Sequence, residues 1–271
     1  MGIALHHNVR WLPVPDPNFA FTIVAMRLAS KVAIVTGGAS GIGHAIAMAF
    51  AREGAQVVIC GRDRKKLDAA ANEIGPSCLA LQADVSEAAG IRKLLDSTVQ
   101  RFGRVNVLVN NAGVLLPGTA ESLTEAEWDR TFTVNVRGLW LLSRAVLTPM
   151  RLAGGGSIIN MGSVLSLVGA RNRVAYSASK SAVLGMTRAM ALDHAADRIR
   201  VNCICPGMVE TEMVAPFIAD EDAKRQRVAM HPVGRLGQPG DMTGAAVFLA
   251  SDESSWTTGA AFPVDGGYTA I

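Results

Sequence analysis

Two side chains in the second half of the sequence could together move a proton. Tyr176 and Lys180 are four residues apart in the run Tyr-Ser-Ala-Ser-Lys, so on a helix they share one face. A nearby ammonium group favours the ionised form of a tyrosine, whose ordinary pKa is about 10. Lowering the pKa of Tyr176 by about 3 units requires roughly 4 kcal/mol, which Lys180 together with a nicotinamide cation is expected to supply. Such a tyrosine can exchange a proton with a carbonyl or alcohol oxygen while a hydride moves at carbon.

A glycine-rich turn far upstream gives this pair its significance, because the Tyr-x-x-x-Lys spacing alone is common on surface helices. Residues 36–43 read Thr-Gly-Gly-Ala-Ser-Gly-Ile-Gly between an apolar strand and a helix predicted over residues 42–52. Gly37 permits a tight exit from the strand, while Gly41 and Gly43 let the backbone approach a pyrophosphate and let the helix pack closely. Free amides at the helix start favour phosphate. The turn predicts a dinucleotide site.

The elements that position these residues form an alternating series. Apolar strand-like runs separated by helical segments occur at residues 31–36, 56–60, 78–81, 105–109, 157–161, 199–205 and 260–264. This alternation predicts an α/β fold: a single doubly wound Rossmann domain whose parallel seven-stranded sheet has helices on both faces. Pro263 places the last run at a sheet edge or strand end. Ligands of such sheets bind beyond the carboxyl ends of the strands, where Asp84, Asn111 and Ser163 are expected.

Composition sets the outer bounds on function. The chain has 271 residues, 49% of them hydrophobic, enough for one substantial core. A formal net charge of +3 does not indicate a nucleic-acid partner, and the charged run at residues 62–66, apart from Arg62 itself, is predicted to be a solvated helix start. The four cysteines and the residues His44, His194 and His231 show no metal-ligand spacing, so no metal is expected. Cys203 and Cys205 are predicted to be buried on one strand face, as suits a cytoplasmic protein.

The first 26 residues differ from the remainder and are predicted to form an irregular N-terminal extension to a domain over residues 27–271. Residues 13–17 contain three prolines, which exclude a regular helix or inner strand. The apolar stretch at residues 19–26 is too short to span a bilayer, and the features of a signal peptide are absent. Two interpretations remain open: an extension without catalytic role, for example from an upstream start codon, or an arm that covers a neighbouring subunit.

From about residue 28 to the end, the chain resembles the short-chain dehydrogenases/reductases, with similarity to 3-oxoacyl-(acyl-carrier-protein) reductase-like members. The turn at residues 36–43 has the family's T-G-x-x-x-G-x-G form. Further matches are N-N-A-G at residues 110–113, P-G-x-x-x-T at residues 206–211 and the C-terminal V-D-G-G at residues 264–267. The resemblance places the catalytic set at Asn135, Ser163, Tyr176 and Lys180.

The resemblance also implies a role for each matched residue. Tyr176 would be the acid in reduction and the base in oxidation, Ser163 would polarise the substrate oxygen, and Lys180 would bind the nicotinamide ribose. Asn135 would hold a water that links Lys180 to solvent. The implied cofactor-binding residues are Gly37, Ser40, Gly41, Ile42, Gly43, Arg62, Asp84, Val85, Asn111, Ala112, Gly113, Tyr176, Lys180, Pro206, Gly207, Val209 and Thr211.

The end of the second strand favours NADP over NAD. Gly61 stands where an NAD enzyme places an acid for the ribose hydroxyls, and Arg62 follows with a guanidinium suited to a 2′-phosphate. Against this, Ser40 occupies a turn position where many NADP enzymes of the family carry a second basic residue, and Asp63 weakens the local field. NADP is therefore the expected cofactor, with NAD possible.

The sequence predicts an NAD(P)-dependent oxidoreductase that interconverts a secondary alcohol and a ketone. The variable segment at residues 208–231 is rich in apolar side chains, as suits a 3-oxoacyl thioester or another apolar carbonyl, whereas Arg171 or Arg173 could instead anchor a small hydroxy acid or sugar acid. A cofactor-binding sensor or scaffold without turnover is the alternative from another class. Long apolar helices predicted over residues 128–150 and 174–195 exceed what one face of a sheet needs to bury, and the resemblance implies that they pair between subunits in a homotetramer. Neither a membrane nor nucleic acid is expected as a partner.

Overall fold

A computed structural model describes residues 26–270 of the chain. Seven parallel strands form one sheet in the order β3-β2-β1-β4-β5-β6-β7. The predicted extension at residues 1–26 lies outside the described residues except for Met26. The strands are β1 Val32–Thr36, β2 Gln56–Gly61, β3 Cys78–Gln82, β4 Val107–Asn110, β5 Gly156–Met161, β6 Ile199–Pro206 and β7 Ala261–Val264. The predicted seven-stranded, doubly wound α/β fold is confirmed.

Helices connect consecutive strands, as parallel pairing requires. They are α1 Gly41–Arg52, α2 Arg64–Ile74, α3 Ala88–Phe102, α4 Glu125–Phe132, α5 Leu139–Leu152, α6 Val174–Asp193, α7 Glu221–Ala229 and α8 Thr243–Ala250. A π-helical segment, Thr133–Gly138, joins α4 to α5, so the long helix predicted over residues 128–150 is interrupted in its winding. No helix within residues 26–270 is long and apolar enough to cross a membrane.

The sheet is buried on both faces because successive strand residues point to opposite sides. In β1, Val35 belongs to the apolar layer beneath α1, α2 and α8, where Phe50 and Val247 are also fully or almost fully buried. Its neighbour Ile34 belongs to the opposite layer, with Leu94 of α3 and Leu142 of α5. The two cores fix the orientation of every strand, so that all seven carboxyl ends emerge on the same edge.

The strand order reverses between β1 and β4, which pair with each other in the centre of the sheet. Their outgoing chains diverge to opposite faces and leave a crevice, the usual ligand position in such sheets. At the far edge, β7 pairs only with β6, which accommodates Pro263 because an edge strand can lack one amide donor. The predicted edge position of this strand is confirmed.

Candidate active site

A cleft of about 1330 Å³ opens along the carboxyl edge of the sheet. It is large enough for a dinucleotide and a small substrate, since pockets for single ligands commonly measure about 300–1,000 Å³. Most of the predicted site residues line it: Gly37, Ser40, Gly41, Ile42, Arg62, Asp84, Val85, Asn111, Ala112, Gly113, Ser163, Tyr176, Lys180, Pro206, Gly207, Val209 and Thr211. Two predicted residues, Gly43 and Asn135, lie behind its wall.

The glycine turn leaves no room for side chains where the sequence predicts a phosphate cradle. Gly37 has a φ of +63°, and a Cβ there would lie 2.9 Å from the Nδ2 atom of Asn111. Gly41 has a φ of +54° at the start of α1 and faces Thr211 across the cleft. A Cβ on Gly43 would lie 2.4 Å from the Gly37 carbonyl oxygen, so Gly43 allows α1 to pack on the turn. The open backbone fits the pyrophosphate of a dinucleotide.

Thr36 connects the glycine turn at residues 36–43 to the loop after β4. Its hydroxyl oxygen accepts hydrogen bonds from the backbone amides of Asn111 and Ala112, each at 2.9 Å. The Asn111 side chain returns a 2.9 Å bond from Nδ2 to the Thr36 carbonyl. The two strand ends on either side of the crevice are therefore held together. The sequence analysis included Thr36 in the turn but did not assign it this role.

Ser163 and Tyr176 meet at the nicotinamide end of the predicted cofactor site. Ser163 follows β5, and its hydroxyl accepts a hydrogen bond from the Leu165 amide at 3.1 Å. Tyr176 lies in the first turn of α6 and is almost completely buried. Burial raises the pKa of Tyr176 to about 12, while the Ser163 hydroxyl and the Arg173 charge exert smaller lowering effects. Tyr176 is thus neutral at neutral pH and can donate a proton.

In the protein alone, the Lys180 charge does not bring the pKa of Tyr176 below 10. The Lys180 Nζ atom lies 5.7 Å from the centre of the Tyr176 ring and donates a 2.7 Å hydrogen bond to the Met161 carbonyl. Burial lowers the pKa of Lys180 to about 8, opposed by the thiols of Cys203 and Cys205. In the protein alone, desolvation therefore dominates the pKa of Tyr176. A pKa lowered by Lys180 together with the nicotinamide cation stays a prediction.

Asn135 sits in the π-helical segment and fastens it to the loop after β4. Its Oδ1 atom accepts a 2.8 Å bond from the Val114 amide, and its Nδ2 atom donates to the Val114 carbonyl at 2.9 Å. The same Nδ2 atom donates to the Ser179 hydroxyl at 3.1 Å. Both amide hydrogens are thus occupied by protein. Any water at Asn135 must use the remaining oxygen lone pair or the backbone.

Two basic side chains, Arg62 and Lys66, line the end of the cleft beside β2. The exposed side chain of Arg62 lines the cleft, while its carbonyl accepts a 2.8 Å bond from the Gln82 side chain. Lys66 of α2 also lines the cleft and forms a 2.7 Å ion pair with Glu212 from the loop after β6. Asp63 caps α2 by accepting from the Lys66 amide at 3.1 Å. The sequence analysis assigned Lys66 to a solvated helix start and did not predict that it lines the cleft.

Asp84 is held as a carboxylate after β3. Burial alone would raise its pKa, but hydrogen bonds from the Ser86 hydroxyl and amide, together with the Arg62 charge, hold the pKa of Asp84 below its ordinary value. The Ser86 hydroxyl donates to Asp84 Oδ1 at 2.7 Å. The carboxylate therefore offers an acceptor to a ligand in this part of the cleft.

His231 supports the loop that the sequence places over the nicotinamide. Its Nε2 atom accepts a 3.2 Å hydrogen bond from the Met208 amide, and its Nδ1 atom lies 2.8 Å from the Arg227 carbonyl. Because a carbonyl only accepts, Nδ1 carries the hydrogen and Nε2 is the free acceptor. The sequence analysis considered His231 only for metal binding, and no local spacing could have revealed this tertiary contact.

Metal ligation has no support within residues 26–270, where no group of three or more histidine, cysteine or acidic side chains is placed to hold an ion. All four cysteines are free thiols. Cys203 and Cys205 are buried on the same face of β6, with their Sγ atoms 3.9 Å apart, as their predicted core positions require.

The fold and the site together define a class of protein: a nucleotide-binding α/β enzyme with a tyrosine, a serine and a lysine at its cofactor cleft. A family model of the short-chain alcohol dehydrogenase type, described as enoyl-(acyl carrier protein) reductase, matches residues 37–269. The chain is 44% identical to an NADP-dependent (R)-specific alcohol dehydrogenase from Lentilactobacillus kefiri, with 90% of this chain and 98% of the relative covered. It is 36% identical to a 3-oxoacyl-(acyl-carrier-protein) reductase from Thermotoga maritima, over 89% of this chain and 99% of the relative.

A solved structure is also similar over the whole fold. It is a protein from Beutenbergia cavernae assigned as an NAD(P)-dependent gluconate 5-dehydrogenase, crystallised with NADP bound at low occupancy. The TM-score is 0.86 at 41% sequence identity, with 91% of this chain and all of that chain covered. The chain therefore belongs to the short-chain dehydrogenase/reductase family. It is an oxidoreductase of the kind that acts on alcohols or ketones with NAD(P).

Proposed function

We propose that the protein interconverts a secondary alcohol and a ketone, with Tyr176 transferring the proton and NADP serving as the hydride carrier. The observation that carries the proposal is the placement of Tyr176, Ser163 and Lys180 along the same cleft as the open glycine turn. When bound, the nicotinamide supplies or accepts the hydride. The protein's own contribution is to hold the substrate oxygen and to move its proton.

In the reductive direction, the neutral hydroxyl of Tyr176 donates its proton to the carbonyl oxygen. Its pKa of about 12 keeps that proton in place until negative charge develops on the substrate oxygen. The Ser163 hydroxyl, beside Tyr176, donates a second hydrogen bond to the same oxygen and stabilises the developing charge. In the oxidative direction, the phenolate needs a nearby positive charge, which Lys180 and the oxidised nicotinamide provide.

The tyrosine proton is then replaced from solvent by way of Lys180 and a water at Asn135. A pKa of about 8 lets Lys180 gain and lose a proton near neutral pH. The π-helical winding supports this role for the segment around Asn135, because such local departures from α-helical geometry occur frequently at functional sites. The side chain of Asn135 is anchored to Val114, so its backbone carbonyl is the proposed water ligand.

NADP is the proposed cofactor because the Arg62 guanidinium lines the cleft directly after β2 and has no ion-pair partner among the described residues. Lys66 of α2 lines the same part of the cleft, where its ammonium group is paired with Glu212. The Asp63 carboxylate accepts a hydrogen bond as the N-terminal cap of α2. It therefore offsets the positive charge of Arg62 less than its position in the sequence suggests. The NADP dependence named for the Lentilactobacillus kefiri relative and the NADP in the Beutenbergia cavernae structure support this assignment.

The relatives support both substrate types that the sequence left open. One acts on a 3-oxoacyl group carried by a protein, and the other is assigned to gluconate, a hydroxy acid. The test is a panel of carbonyl and alcohol substrates assayed with NADP(H) and NAD(H) by the absorbance of the reduced nicotinamide. Turnover of at least one secondary alcohol or ketone is expected. If no substrate in the panel changes the absorbance, a cofactor-binding sensor or scaffold becomes the better account.

A homotetramer in the cytoplasm is the proposed physiological state. Exposed apolar side chains on the long helices support self-association, with Trp128 and Trp140 each about 40% exposed along the α4–α5 helix and Leu192 82% exposed at the end of α6. Four free thiols suit a reducing compartment. Light scattering at micromolar concentration tests the assembly, and a monomer would contradict it.

A further inference from the structure

Two arginines converge on the substrate end of the cleft without an acidic partner. Arg173 immediately precedes α6, three residues before Tyr176, and Arg227 lies in the last turn of α7. Both side chains line the cleft. Neither forms an ion pair with any carboxylate in the part of the chain that the structure describes, although eight ion pairs of lysine or arginine are present there. The recess that they share, here called the arginine recess, therefore carries uncompensated positive charge.

The two charges are close enough to oppose each other. Burial lowers the pKa of Arg173, and the Arg227 charge lowers it further. Like charges in a partly desolvated recess repel, and an anion between them would convert that repulsion into attraction on both sides. The two arginines before Tyr176 differ in burial: Arg173 is half-buried, whereas Arg171 also lines the cleft but is exposed.

Each arginine is held in position by neighbours that leave donors available. The Arg173 guanidinium lies 4.3 Å from the centre of the Phe217 ring, and its Nη1 atom donates to the Asn172 carbonyl at 2.7 Å. The Arg227 Nε atom is buried and has no hydrogen-bond partner among the described residues. A buried unpaired donor is costly, so this group is suited to receive an acceptor from a ligand.

We propose that the arginine recess binds an oxyanion group of the substrate, and that the substrate is a small oxo acid or hydroxy acid; this inference rests on the proposed function. A guanidinium matches a carboxylate through two parallel hydrogen bonds, which favours a carboxylate over a point-like anion. Because Arg173 is three residues before Tyr176, the bound anion lies a short distance from the reacting oxygen. The carboxylate then fixes which face of the ketone meets the nicotinamide.

The chain that links the two ends of the substrate is inferred to be hydrocarbon. Phe217 contacts Arg173, and the Met230 sulfur lies 4.0 Å from the Arg227 Nη1 atom. Further apolar side chains that line the cleft are Met208, Met213 and Val214. Such a wall binds methylene groups and offers few partners to the hydroxyl groups of a polyol. The inferred substrate thus combines a ketone or secondary alcohol, a short apolar linker and a terminal anion.

The experiment compares matched substrates that differ only in charge. A series of 3-, 4- and 5-oxo acids is assayed against the corresponding methyl esters, with saturating NADPH, and kcat/KM is measured for each. The acid of the best linker length is expected to exceed its ester by about 10- to 100-fold, the range for a hydrogen bond to a charged group. Sulfonate and phosphonate analogues of the same length distinguish a carboxylate-specific recess from a general oxyanion site.

Substitution of each arginine tests whether the preference for the acid depends on the arginine recess. Arg173→Gln and Arg227→Gln should each reduce the acid-to-ester ratio of kcat/KM by about tenfold or more. Arg225→Gln is the matched control, because Arg225 lies on the same helix, two residues from Arg227, and is exposed and paired with Asp222. It should leave the ratio unchanged. Calorimetric titration of the protein–NADP complex with pentanoate, an unreactive carboxylate, should detect binding that both recess variants weaken.

The possible failures are distinguishable. Equal kcat/KM for acids and esters, with a ratio that neither recess variant changes, would overturn the arginine recess while leaving the proposed alcohol–ketone chemistry intact. Efficient turnover of neutral 3-oxoacyl thioesters alone would do the same. Absence of turnover with every acid, ester and thioester would instead count against the proposed function itself.

Discussion

The Lys180 ammonium group donates its hydrogen bond to the Met161 carbonyl at the end of β5, over a distance of 2.7 Å. This bond ties the functional face of α6 to the centre of the sheet and keeps the lysine beneath the Tyr176 ring. Lys180 is thereby pre-positioned for a ribose and a phenolate, but it is buried among apolar groups and thiols. Desolvation of a cation is costly, so the burial of Lys180 is expected to reduce the stability of the folded protein.

Replacing Lys180 with Met tests this cost. The lysine pKa of about 8 in the folded protein is below its ordinary value, so the unfolded chain binds more protons between about pH 8 and about pH 10. The cost is largest below about pH 8 and fades as the pH rises towards about 10.4. After allowing for the lost hydrogen bond to Met161, Lys180→Met should raise the free energy of unfolding at pH 7 by about 1 to 2 kcal/mol.

Denaturant unfolding of the wild type and the variant at pH 7 and pH 9.5 measures this effect. The difference in unfolding free energy should shrink at the higher pH. Lys65→Met provides a control, because Lys65 is exposed on α2 and has no ion-pair partner among the described residues. A Lys180 variant that is less stable than the wild type at pH 7 would show that the lysine is not under desolvation stress.

Arg62 is expected to determine the preference for the phosphorylated cofactor. Arg62→Ala removes a guanidinium that can bind phosphate through charge-assisted hydrogen bonds. The KM for NADP should rise by about tenfold or more, while the KM for NAD should change little. Arg64→Ala is the matched control, since Arg64 is close in sequence but is paired with Asp68. An equal effect of Arg62→Ala on both cofactors, or a wild-type preference for NAD, would contradict the NADP assignment.

The contact between His231 and Met208 is expected to hold the loop after β6 in its binding conformation. A glutamine at position 231 can place an acceptor near the position of the imidazole Nε2, whereas an asparagine resembles the Nδ1 side of the ring. His231→Gln should therefore retain more cofactor affinity than His231→Asn, whose loss of the Met208 bond corresponds to about a fivefold weaker affinity. Fluorescence titration with NADPH measures both. If the asparagine variant binds as tightly as the glutamine variant, the Met208 contact does not support the loop.

How far the sequence could predict this molecule depends on whether a feature is local. The i, i+4 spacing of Tyr176 and Lys180 and the glycine turn are local, and both appear in the structure as the sequence indicates. The direction of the Tyr176 pKa shift is not local, because it depends on burial by elements distant in sequence. The Tyr-x-x-x-Lys spacing therefore does not reveal how strongly burial opposes ionisation of Tyr176.

The substrate end of the cleft likewise depends on residues that are distant in sequence, so it could be predicted only in part. Arg173 could be identified from its nearness to Tyr176, but Arg227 lies 54 positions further on, in a helix of the variable segment. Only the folded arrangement brings the two guanidinium groups into one recess and shows that neither has an acidic partner in the described part of the chain. The role of His231 could not be predicted for the same reason, because its partners are the backbone groups of Met208 and Arg227.

The most direct test of the proton-transfer role is the turnover of a Tyr176→Phe variant. The ring and its packing are retained, and only the titratable hydroxyl is removed, so turnover should fall by a factor of about 100 or more while NADPH still binds. Tyr268→Phe is the control, because Tyr268 is the only other tyrosine and also lines the cleft. Loss of turnover in Tyr176→Phe alone is the predicted result. Turnover near that of the wild type in Tyr176→Phe would contradict the account.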